Sequence, residues 1–270
     1  FLPEKSASDK PLTVGTLTLT DIPRKSELTV ADGTLGTAQT LKITRQSTDF
    51  THTIKYTCGT ASGTICEKSS SGSVPFIAPV GLASQNTTGT AVSLTFTITT
   101  YYGTEAIGEL SYIRTFTIPN SVTPSVMISH NDPLGYANTY GGYLQNLSSL
   151  FISLTPTLAY GAEIVAYSLS FNGNVYPSAN ALISSLWKSG TFRVTASVTD
   201  NRGRTGTATA DIEVIPYTSP TFKTFRAFRC DSDGTENGQG AYIKVLFDVK
   251  ITSLSDKNTA LYTLKYKPTD

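Results

Sequence analysis

Acid–base or nucleophilic catalysis needs a base held beside a nucleophile, and this chain offers few candidates. Its histidines are His52 and His130 and its cysteines Cys58, Cys66 and Cys230. His52 lies in the run FTHTIKY, on what reads as a strand face, and no G-x-S-x-G turn that would raise a serine above a sheet occurs. Both histidines are expected as half-exposed strand or loop residues without a catalytic role. Scattered in this way, they and the cysteines give no zinc-ligand spacing. Cys58 and Cys66 flank GTASGTI and could face each other across a hairpin, although two reduced, half-buried thiols is the preferred reading. Glycoside hydrolysis would need two carboxyls facing across a cleft. Glu105 and Glu109 instead flank an expected turn at Ala106 to Gly108, as solvated charges. The run Asp231-Ser232-Asp233-Gly234-Thr235-Glu236 is rich in oxygen like a calcium loop. It lacks the later ligand positions and the bidentate Glu of an EF-hand, so its Asp and Gly read as turn chemistry. The expectation is no enzyme, no catalytic residue, no metal and no cofactor.

Binding is better served. In DPLGYANTYGGYLQN, Asp132 to Asn146, Tyr136, Tyr140 and Tyr143 are interleaved with Gly and Asn. Tyrosine offers a rigid stacking face and a hydroxyl at low entropic cost, the mix used by binding loops on β-sandwiches. These three are the candidate ligand-binding residues. The competing reading is that they cover the end of a sandwich or a neighbouring subunit.

The elements that would carry such a loop are strands. Phe192, Val194, Ala196 and Val198 alternate with polar residues, the turn Asp200-Asn201-Arg202-Gly203 follows, and Thr205 to Val214 alternates again: a β-hairpin. Val92, Leu94, Phe96 and Ile98 alternate with Ser93, Thr95, Thr97 and Thr99 in the same way. Further strands are expected at Glu27 to Val30, Gln39 to Arg45, Phe50 to Cys58, Val74 to Ala78, Ile107 to Ile118, Val126 to Ser129, Leu150 to Leu154 and Ile164 to Phe171. Asn172-Gly173-Asn174 is a tight-turn signal. Leu182, Ile183, Leu186 and Trp187 have helical spacing, so Ala179 to Trp187 is expected as a short helix with Trp187 in the core. Leu12 to Ile22 reads as extended, as do Phe222 to Arg229, Tyr242 to Ile251 and Tyr262 to Tyr266.

Proline-bracketed joints at Pro119 to Pro124 and Pro216 to Pro220 divide the chain. Residues 1–11 are expected as a linker or remnant, 12–119 and 124–216 as β-sandwiches, and 220–270 as the start of a third, truncated module. The fold class expected is all-β: serial immunoglobulin-like sandwiches with the third incomplete. Composition agrees, since Thr, Ser and Gly are abundant and suit short, half-exposed strands.

A formal charge of +1 and no basic stripe argue against nucleic acid as a partner. No run of about 18 apolar residues is present to act as a membrane span. Only 15% of residues are charged, below the usual ~25%, so hydroxyls and amides must cover much of the surface. Such surfaces are common on extracellular or assembled β-proteins.

Three passages carry a family resemblance: LTLTDIPR with the following GTLG; FTHTIKY with APVGLASQNTTG; and the joint from Ile118 to Pro124 with SVTDNRGRTGTA. With RCDSDGTENGQGAYIKV they resemble tail and baseplate minor structural proteins of long-tailed phages and prophages of Gram-positive bacteria. The resemblance covers nearly the whole chain and rests on turn and strand motifs. It implies a virion tail component, a modular spacer arm for host attachment, with other tail proteins and host cell-wall glycan as partners, and leaves a homo-oligomer open. It supplies no binding residues. The alternative expectation is a glycan-binding adhesion module of a bacterial surface protein.

Overall fold

The computed structural model describes residues 24–265; the expected extended segment from Leu12 to Ile22 lies outside them. The chain forms two compact units, Phe1–Pro119 and Asn120–Asp270.

The first unit holds β1 (Glu27–Thr29), β2 (Gly33–Thr34), β3 (Ala38–Thr44), β4 (Phe50–Cys58), β5 (Ala61–Ser69), β6 (Ser73–Ile77), β7 (Ala91–Tyr102) and β8 (Glu105–Thr117). They form a three-stranded sheet β1-β3-β6 and a five-stranded sheet β2-β8-β7-β4-β5. All pairs are antiparallel except β2 with β8, where Gly33 sits opposite Phe116. The alternation along β7 puts Val92, Leu94, Phe96 and Ile98 on the inner face, each almost fully buried. Phe96 meets Phe76 and Phe116 at centroid distances of 5.5 and 6.0 Å, so the core is centred on packed aromatic rings.

The second unit opens with β9 (Ser125–Asn131), the helical turn α1 (Tyr136–Tyr140) and β10 (Tyr143–Leu144). It continues with β11 (Leu150–Thr157), β12 (Ile164–Phe171), β13 (Asn174–Tyr176), β14 (Asn180–Ile183), β15 (Gly190–Asp200) and β16 (Thr205–Ile215). Its sheets are β14-β11-β9 and β10-β16-β15-β12-β13. Strand for strand this is the first unit again, down to the short strand β10 running parallel to β16. A three-stranded sheet facing a sheet built round two long final strands is the immunoglobulin-like arrangement. The second core is mostly aliphatic: Leu150, Ile152, Leu169, Val194, Val198 and Ile212 are buried, with Ala196 midway along β15. The expected hairpin is present, with Thr199 opposite Thr205 across the turn. Asp200 Oδ1 accepts hydrogen bonds from the Arg202 and Arg204 backbone N–H groups, which closes that turn. Asn172 and Gly173 take positive φ of 49° and 80° between β12 and β13, as a tight asparagine–glycine turn requires.

Beyond Pro220, β17 (Thr221–Cys230) and β18 (Tyr242–Lys250) pair as an antiparallel ribbon within the second unit. Phe222, Phe225 and Phe247 cluster on one face of it and remain largely exposed.

Several expectations are corrected. Asn180 to Ile183 is strand, not helix, because it pairs with Leu150 to Ser153 and so completes a sheet. Trp187 is not in the core: Leu186 takes the buried position and Trp187 is 58% exposed. The turn near Glu105 lies before it, and Glu105 and Glu109 both belong to β8. Described residues 262–265 form no strand. His52, expected half-exposed, is fully buried, and its Nε2 is hydrogen-bonded to Ser26 Oγ at 2.9 Å. The β4–β5 register sets Cys66 opposite Ile54 and Cys58 opposite Ala61, so the hairpin does not bring the two thiols face to face.

Candidate functional site

The tyrosine loop spans Asp132 to Gly142, between β9 and β10, and its organiser is a buried carboxylate. Asp132 Oδ1 accepts hydrogen bonds from the backbone N–H groups of Leu134 at 3.0 Å and Ser149 at 3.2 Å, and Oδ2 from that of Ala137 at 3.1 Å. Burial pushes this carboxyl up, but the hydroxyl of Ser148 and the three backbone donors outweigh it and hold the pKa below its ordinary value. The arrangement pulls the chain into α1, a single helical turn bracketed by Gly135 and Gly141 at positive φ of 81° and 85°.

Of the candidate residues, the loop brings Tyr136 and Tyr140 together and turns Tyr143 away. Tyr143 is 5% exposed in the core of the second sandwich, because β10 must add to the edge of β16 opposite Val214. Its hydroxyl is hydrogen-bonded to His130 Nδ1 at 2.9 Å, and burial followed by the nearby Asp132 charge pushes its pKa up to about 12. Tyr143 is therefore a core residue and does not reach the loop surface.

Tyr136 and Tyr140 line a cavity of about 450 Å³, whose other walls include Tyr217, Phe222, Leu254 and Tyr262. The segment after β18 closes one side. Lys257 Nζ donates to the Tyr140 carbonyl at 3.3 Å, while the Asn258 side chain accepts from Leu254 N and donates to the Thr252 carbonyl. The asparagine amide is thus spent on holding its own loop. Apolar side chains and the phenol rings of Tyr136, Tyr140, Tyr217 and Tyr262 make up most of the cavity wall, a surface suited to packing.

The remaining candidates stay apart. The Thr99 hydroxyl donates to Glu109 Oε1 on the neighbouring strand. In the Asp231 to Glu236 run, Asp231 Oδ1 accepts from the Asn237 amide, Asp233 Oδ1 from Thr235 N, and Glu236 pairs with Arg226. The Asp231 and Asp233 oxygens thus hold the loop, while Glu236 is taken up in an ion pair, and among the described residues no group of three His, Cys, Asp or Glu is placed to hold a metal ion. Burial lowers the His52 pKa and favours the neutral ring, which is a structural state for a histidine between two sheets.

Among the solved structures similar to this chain are fibronectin type III-like and PKD modules. The fibronectin(III)-like modules of CbhA from Clostridium thermocellum are 13% identical with a TM-score of 0.29, covering 71% of this chain and 95% of theirs. A two-domain fibronectin type III segment of chicken tenascin is 13% identical with a TM-score of 0.31, covering 72% and 99%. The PKD1 domain of the Vibrio cholerae metalloprotease PrtV is 24% identical with a TM-score of 0.27, covering 34% and 98%. Likeness this slight adds nothing to the strand order described above. No curated protein matches the chain. A family of siphovirus proteins of unknown function, DUF859, matches residues 3–268, and the chain belongs to that family.

Proposed function

We propose that the chain is a modular arm in the tail tip or baseplate of a siphovirus, non-catalytic, contacting other tail proteins and holding a host-attachment end away from the particle. The observation that carries this reading is the strand-for-strand repeat of one sandwich within a siphovirus protein family. Repetition of a self-sufficient module lengthens an arm without new chemistry, and the buried polar groups in these sandwiches serve turns and cores. Membership of the virion follows as part of the same proposal, as does a Gram-positive host, which rests on the resemblance of the turn and strand motifs.

Immunogold labelling of purified virions with antibody against the chain tests it. Gold at the distal end of the tail is the expected result. Gold on the capsid, or chain recovered only from infected cells and never from particles, overturns it.

A further inference from the structure

The one tryptophan of the chain stands outside every function assigned above. Trp187 lies in the link between β14 and β15, and that link is fixed to its surroundings. Leu186 is buried beneath it, the Leu186 carbonyl accepts from Asn146 N at 2.8 Å, and the Trp187 carbonyl accepts from the Gln145 amide at 2.9 Å. The backbone is anchored while the indole is left 58% exposed. An anchored, outward indole holds its ring in a fixed place at the surface, where its neighbours decide what it can meet.

Beside it is a cleft of about 210 Å³, lined by Trp187, Tyr176, Phe192, Asn172, Asn174 and Lys188. Phe192 packs on Phe171 at 5.9 Å between centroids, which makes a firm floor. The β12–β13 turn carries Asn172 and Asn174 to the rim, and no hydrogen bond among the described residues occupies either side-chain amide. Lys188 Nζ lies 4.3 Å from the centre of the indole and has no acidic partner among the described residues. The cleft therefore combines flat aromatic faces with free amides and one ammonium that lies over one face of the indole. A purely apolar partner would leave those amides facing it unpaired.

We infer that this cleft is a saccharide subsite, in which a sugar ring lays its C–H face on Trp187 while Asn172, Asn174 and Lys188 bond its hydroxyls. Sites for whole small molecules run from ~300 Å³ upward, so a cleft of about 210 Å³ takes a terminal sugar unit with the rest of the glycan in solvent. The inference deepens the arm reading by giving the arm a contact with a host glycan, and rests on that reading only for the identity of the host.

Because Trp187 is the sole tryptophan, its emission reports the site directly. The purified full chain is screened on an array that includes N-acetylglucosamine oligomers, muropeptides and cell-wall polysaccharides of Gram-positive bacteria. Any retained saccharide is then titrated against Trp187 emission. The expected result is a saturable emission change, with calorimetry giving at least about tenfold weaker binding for Asn174→Ala, complete loss for Trp187→Ala and partial retention for Trp187→Phe. Asn174 is chosen over Asn172 because Asn172 has positive φ. Circular-dichroism melts check that each variant is folded. No retained saccharide, or equal retention by Trp187→Ala, overturns the inference. Since no virion is used, that failure is distinct from a failure of the tail location.

Discussion

The two sandwiches share one topology but differ in how they pass from their first strand to the short parallel one. In the first, Val30 to Asp32 link β1 to β2, and Asp32, exposed, accepts a single bond from Thr115 N at 2.8 Å. In the second, Asp132 to Gly142 link β9 to β10, and Asp132, 7% exposed, gathers three backbone donors and a hydroxyl. A longer link would leave more backbone groups unsatisfied, and a buried carboxylate is an economical way to satisfy several at once. The longer link of the second sandwich thus carries its own internal anchor.

The largest effect should come from the cores. Phe96→Ala should destabilise the first sandwich by about 3–5 kcal/mol, since it opens a void amid packed rings. Peptide-resolved hydrogen exchange should show the loss in β4, β7 and β8, with the Trp187 emission transition unmoved. An equal shift in both would mean the sandwiches unfold together. Next, Asp132→Ala should cost the second sandwich about 2–3 kcal/mol by stranding buried donors, read from the Trp187 melting transition. Asp32→Ala should cost the first only about 0.5–1.5 kcal/mol; equal costs would remove the contrast drawn above.

Acid should separate the two more gently. The folded pKa of His52 is lowered from 6.5, so its contribution is full above pH 6.5 and is lost as pH falls through the folded value. That of Asp132 is lowered from 3.8, so its contribution is present above pH 3.8 and is lost as pH falls below it. On acidification the first sandwich should weaken before the second, and His52→Gln should abolish the early loss in exchange-detected stability. The smallest effect is expected at the exposed Arg193–Asp211 pair, where Arg193→Ala should leave the melting temperature unchanged within error.

What was legible in the sequence was periodicity. The β7 alternation and the first arm of the β15–β16 hairpin stand out because apolar residues recur at every second position, Val92 to Ile98 in one and Phe192 to Val198 in the other. The turn at Asn172-Gly173 is equally plain, since only a few residues tolerate its backbone. Strand β5 is barely legible beyond the hairpin that Cys58 and Cys66 hint at: ASGTICEKS has almost no apolar alternation, and it is strand because β4 offers it an edge. Leu182, Ile183, Leu186 and Trp187 fit a helix by spacing, but pairing with β11 decided otherwise, and Trp187 moved to the surface. Tyr143 could not be told from Tyr136 and Tyr140 in a row of Tyr, Gly and Asn. Its burial depends on the parallel bond to β16, which joins residues far apart in the chain.

The contrast between an aromatic core and an aliphatic one has a consequence while the chain is being made. Neighbouring modules with the same strand order can trade strands as they fold, a common route to misassembly in tandem proteins. Here a traded strand fits badly. Seating β7 in the second sandwich would press Phe96 into space shaped for residues such as Ala196, and seating β15 in the first would leave a hole between Phe76 and Phe116. Unlike fillings inside like frames thus let each module recognise its own strands.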